Sequence, residues 1–138
     1  MQQLNQRFAD TYYNSDFVYG YIGTSDSYIE DHSKTIAITP HGAETYNSLG
    51  IAHNKKGEYD LAVSSFSKAI ELDPEHAGAY NDRGVARDRK GEYDKAIQDY
   101  ATAISLDPES VAAYNNRGIT YARKGEYDLA IMDFNKAL

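Results

Sequence analysis

Apolar and polar positions along this chain recur with a helical period, and the recurrence itself repeats. Tyr46, Gly50 and His53 fall at i, i+4 and i+7, as do Tyr80, Gly84 and Arg87, and then Tyr114, Gly118 and Tyr121. That spacing puts each set on one face of a helix. A second stripe follows each of them. Ala62, Phe66 and Ala69 recur as Ala96, Tyr100 and Ala103, and as Ala130, Phe134 and Ala137, a small–large–small order suited to close packing of two helices. Each copy therefore reads as a pair of helices, and the whole as an all-α chain. A glycine inside a helix costs about 1 kcal/mol relative to alanine, so Gly50, Gly84 and Gly118 predict a close approach by the partner helix.

The frame is set by KGEYD, identical at residues 56–60, 90–94 and 124–128, with 34 residues between copies. Glycine at 57, 91 and 125 suits the left-handed residue that closes a helix, and the lysine before it lies at the negative end of the helix dipole. Glu58 and Asp60, with their counterparts, sit at the positive start of the next helix. KGEYD thus reads as a stop followed by a start. Asp73 and Asp107, each followed by proline, are expected to be N-caps of the first helix of the next copy. Val63 with Ile70, Ile97 with Ile104, and Ile131 with Leu138 form another apolar stripe that one pair cannot bury, so neighbouring pairs must stack.

These marks divide the chain into repeats at 43–76, 77–110 and 111–138, the last stopping before its final turn. Residues 1–8 open a helix, with Leu4, Phe8 and Tyr12 on one face. Residues 9–42 read as a degenerate first copy: Thr11–Tyr12 align with Thr45–Tyr46, and SKTIAITP at 33–40 with SKAIELDP at 67–74. Where the later copies have Gly50 and Ala62, this one has Asp16 and Tyr28, so its helices are expected to splay.

Composition narrows the functions. The 138-residue chain has a net charge of −7 and no cluster of five or more basic residues, which disfavours nucleic acid as a partner. With no cysteine, disulfides and thiolate metal sites are excluded. No run approaches 18 apolar residues, and MQQLNQRF lacks the pattern of a signal peptide, so a chain that does not insert into membranes is expected, with the cytoplasm favoured. His32, His41, His53 and His76 lack metal-binding spacing, and no phosphate loop or serine elbow is present. No enzyme, cofactor or metal is expected. The carboxylates of Glu71, Asp73, Asp94, Asp99, Asp107 and Asp133 are read as a solvated convex face, and Tyr46, Tyr59, Tyr80, Tyr93, Tyr114 and Tyr127 as core.

The recurring tyrosines, glycines and alanines, the aromatic at 66, 100 and 134, and Pro74 and Pro108 resemble the tetratricopeptide repeat family, strongly over 43–138 and weakly over 9–42. Arg83 and Arg117 depart from the family's apolar choice, which Leu49 keeps. The YNDRG and YNNRG strings are similar in style to bacterial members. The resemblance implies a right-handed α-solenoid of antiparallel helix pairs that holds other proteins, its first helices lining the concave face. The groove would then be lined by Asn47, Ile51, Asn54 and Lys55, by Asn81, Asp82, Val85 and Arg89, and by Asn115, Asn116, Ile119 and Arg123. Asn47, Asn81 and Asn115 would form an amide ladder suited to a peptide backbone. Lys55, Arg89 and Arg123 would form a basic line suited to carboxylates. The clamp by which one subfamily grips chaperone tails is not met, because Ile51, Asp82 and Ala112 stand where it needs Asn, Asn and Lys.

A second expectation concerns the ends. Ile131, Phe134 and Leu138 form a stripe that should face another helix, and Tyr28 replaces a small residue in the degenerate copy. Either the chain is a piece of a longer array, or these surfaces pair with another copy as a self-assembly module.

Overall fold

The computed structural model describes residues 42–138, and among these it is all helix, with no strand. The six helices form three consecutive hairpins: α1 Ala43–Lys56 with α2 Tyr59–Leu72, α3 Ala77–Arg89 with α4 Tyr93–Leu106, and α5 Val111–Arg123 with α6 Tyr127–Ala137. The chain divides into two compact units at Asp73 and Pro74. Within the described residues, the first holds the α1–α2 hairpin. In the second, α5 packs on α4 and also touches α3. The expected residues 1–8 helix and the degenerate copy at 9–42 up to residue 41, with Tyr28, His32 and His41, lie outside the described residues.

Each hairpin turns on its KGEYD segment as expected. Gly57, Gly91 and Gly125 have φ of 80°, 82° and 84°, a conformation that costs a side-chain-bearing residue about 1–2 kcal/mol. The next residue's N–H then reaches back to the carbonyl five positions earlier: Glu58 to His53 at 2.9 Å, Glu92 to Arg87 at 2.8 Å, Glu126 to Tyr121 at 2.9 Å. That bond closes a Schellman motif. Lysine and glutamate pair across the glycine, Lys56 with Glu58 at 3.6 Å, Lys90 with Glu92 at 3.2 Å and Lys124 with Glu126 at 3.7 Å.

The other turn corrects the capping assignment. Asp73 and Asp107 are C-caps of α2 and α4, not N-caps. The first helices start three residues later, where His76 Nδ1 accepts from the Ala79 N–H at 3.0 Å and Ser110 Oγ accepts from the Ala113 N–H at 3.2 Å. Proline therefore begins a two-residue turn here, and Asp107 stabilises that turn by accepting from the Glu109 N–H at 3.3 Å.

The hairpin cores are built on the glycine notches. A Cβ placed on Gly50 would lie 2.5 Å from the ring of Phe66; on Gly84, 2.6 Å from Tyr100; on Gly118, 2.7 Å from Phe134. The ring occupies the space that a side chain would need. Ala62, Ala69, Ala96, Ala103, Ala113 and Ala130 are buried around these contacts.

Two further readings are corrected. Asp99 and Asp133 are not on a solvated face: they are 3% and 4% exposed. Asp99 receives Arg83 at 3.0 and 2.8 Å and Arg87 at 2.9 Å, while Asp133 receives Arg117 through two bonds of 2.7 Å. Arg83 and Arg117 also lie over the rings of Tyr80 and Tyr114, each 5.6 Å from the centroid. Tyr127 is 65% exposed, although Tyr93 at the same repeat position is half-buried. α4 is covered by α5, and no described helix covers α6 in that way.

Candidate functional site

The residues expected to line a groove are distributed over both units. In the first unit Asn47 is buried, and its Oδ1 has no hydrogen-bond partner among the described residues. Ile51 and Asn54 are half-buried, and Lys55 is exposed. The chemistry is clearest in the second unit, where α3 and α5 meet.

Two polar ties join those helices. Asn116 Nδ2 donates to Asn81 Oδ1 at 3.1 Å, and Arg123 Nη1 donates to Asp88 Oδ2. The ties lie seven positions apart on each helix, about 10 Å along the axis. Between them come Val85, half-buried, and Ile119, 38% exposed. Two apolar side chains are thus framed by an amide pair at one end and an ion pair at the other. Asn115 stands exposed beside the frame, Asp82 is half-buried, and Arg89 is exposed at its edge.

The asparagines expected to form a ladder differ in their surroundings. Asn47 is buried, Asn81 is half-buried and bonded across to α5, and Asn115 is exposed. The basic line divides as well, because Arg123 is paired while Arg89 has no hydrogen bond or ion pair among the described residues.

Below the frame, Tyr100 is buried with its hydroxyl beside Thr120, itself buried, and burial pushes its pKa upward. At the far edge Lys124 Nζ donates to Asp94 at 2.5 Å, and that bond raises the lysine's pKa. Asp88 was not singled out from sequence. The signal was present only as a pair of positions: 54, 88 and 122 hold Asn, Asp and Ala, and the partner of 88 lies 35 residues further on. The Arg–Asp pairs left a plainer mark, since positions 16 apart change together from Leu49/Ser65 to Arg83/Asp99 and Arg117/Asp133.

Among the described residues, no group of three or more His, Asp or Glu is placed to hold a metal ion, and no helix is long and apolar enough to cross a membrane. His53 instead meets Glu58 at 3.1 Å, and His76 caps α3.

Consecutive helical hairpins whose helices begin at 34-residue intervals define a helical-repeat protein. Tetratricopeptide repeat models match residues 43–76 and 65–98, and a TPR repeat model matches 89–125. A crystal structure of MamA is 34% identical over 94% of this chain and 75% of that one, with a TM-score of 0.85. A second MamA crystal structure is 33% identical over 99% and 74%, also with a TM-score of 0.85. MamA 41-end from Desulfovibrio magneticus RS-1 shares the fold at 22% identity, covering 94% and 73% of the two chains with a TM-score of 0.85. No curated protein matches the chain. This chain belongs to the tetratricopeptide repeat family, and its class is that of protein-interaction scaffolds.

Proposed function

We propose that the chain binds a peptide or protein segment on the face formed by α3 and α5, without transforming it. The observation that carries this reading is the pair Val85 and Ile119, apolar and partly exposed, framed by Asn81–Asn116 and Asp88–Arg123. Apolar surface of this kind supplies affinity, and the flanking amides supply orientation. Asn115 has both a donor and an acceptor available to a ligand backbone. Replacing Val85 and Ile119 with aspartate tests the proposal in a pull-down from the source cell's extract. Partners recovered by the parent and lost by a folded variant support it; unchanged recovery overturns it.

A second reading rests on a different observation. Tyr127, Ile131, Met132 and Leu138 of the last hairpin are all more than half exposed. In this reading they are a self-association surface, with Tyr28 as an N-terminal counterpart. Phe134 serves it poorly as a probe, because its ring also fills the notch at Gly118. Light scattering of I131E/M132E decides it: a concentration-dependent oligomer lost in the variant supports self-assembly, and a monomeric parent excludes it.

A further inference from the structure

We infer that the two arginines in equivalent repeat positions on this face do different work: Arg89 receives a carboxylate of the bound segment, and Arg123 is part of the wall. The inference rests on the groove reading above and names the class of ligand, a segment in which an acidic residue lies close to an apolar one.

Arg123 is committed by its partner. Asp88 is 7% exposed, its Oδ2 accepts from Arg123, and its Oδ1 has no hydrogen-bond partner. Drawing the guanidinium toward a ligand would leave a buried carboxylate without its counter-charge, which is far more costly than an exposed ion pair is favourable. The same carboxylate cancels most of the field that Arg123 would present to an approaching anion. Asp88 stands 35 residues before Arg123, and the position 35 residues before Arg89 holds Asn54, which carries no charge.

Arg89 differs on each count. It is exposed, and no described residue pairs with it. It lies one turn beyond Val85 on the same helix, so a segment that seats an apolar side chain on Val85 and Ile119 carries a neighbouring acid past the guanidinium. The net charge of −7 opposes an acidic ligand from a distance. At about 0.15 M salt that field is screened within roughly 8 Å, and the local donor decides.

The test uses fluorescence anisotropy with two labelled dodecapeptides, one of Leu-Glu-Ser triplets and one of Leu-Gln-Ser triplets, against the whole chain and its R89A, D88A/R123A and V85D/I119D variants. The double variant removes both members of the buried pair, and circular dichroism checks its fold. The expected result is a preference of about tenfold or more for the glutamate peptide, abolished in R89A and kept in D88A/R123A. Equal binding of the two peptides, or a preference that survives R89A, overturns this inference and leaves the groove standing. Binding of neither peptide, or binding undisturbed by V85D/I119D, overturns both.

Discussion

The guanidinium of Arg83 closes on the buried carboxylate of Asp99 through two parallel bonds, Nε to Oδ2 at 3.0 Å and Nη2 to Oδ1 at 2.8 Å. The two residues lie on opposite arms of one hairpin, and the pair recurs as Arg117 with Asp133. In the first hairpin those positions hold Leu49 and Ser65, so the same architecture is closed there without an ion pair.

That substitution within one molecule predicts a non-additive result. D99A strands Arg83 and Arg87 beside an apolar core and should cost about 3–5 kcal/mol. R83L/D99S, which gives these two positions the residues of the first hairpin and leaves only Arg87 without Asp99, should cost less than the sum of R83L and D99S. Urea unfolding of the four chains measures the coupling, and additive costs would refute it.

The notch at Gly84 predicts that a residue better suited to helices will destabilise this one. G84A removes the intrinsic penalty of about 1 kcal/mol, but its methyl would lie 2.6 Å from the Tyr100 ring. Overpacking of that kind costs about 1–3 kcal/mol, so a lower urea midpoint is expected. A raised midpoint would show that the ring yields freely.

The start of α5 separates two candidate caps. S110A removes the acceptor of the Ala113 N–H and should cost about 1 kcal/mol. D107A loses only the exposed turn bond to the Glu109 N–H and should cost less. The reverse order in thermal unfolding would restore Asp107 as the cap.

Tyr100 supplies a pH dependence with a defined sign. Burial raises its pKa above the ordinary value of about 10, so folding favours the neutral phenol. Its contribution is complete below pH 10 and declines as pH rises, because the unfolded chain ionises first. Y100F places at 100 the residue that Phe66 and Phe134 already provide, and should change stability by no more than about 1 kcal/mol at pH 8. Between pH 8 and 10.5 the parent should lose more stability than Y100F, and parallel losses would contradict the assignment.

What the sequence by itself determined is the repeating unit. The glycines at 57, 91 and 125 and those at 50, 84 and 118 act locally, through backbone conformation and the face of a single helix, and a 34-residue period marks such positions without knowledge of the fold. Tertiary structure decided which polar groups are structural. Asp99 and Asp133 read as solvated because a carboxylate on a helix normally is, and only the arginine on the facing arm makes burial tolerable. Asp107 gave way to Ser110 as the cap because a turn of two residues intervenes. The division between Arg89 and Arg123 was equally invisible in the repeat frame. It depends on Asp88, a residue on a neighbouring helix whose position in the preceding repeat holds the uncharged Asn54, and equivalence of the two arginines in sequence does not determine what stands across an interface.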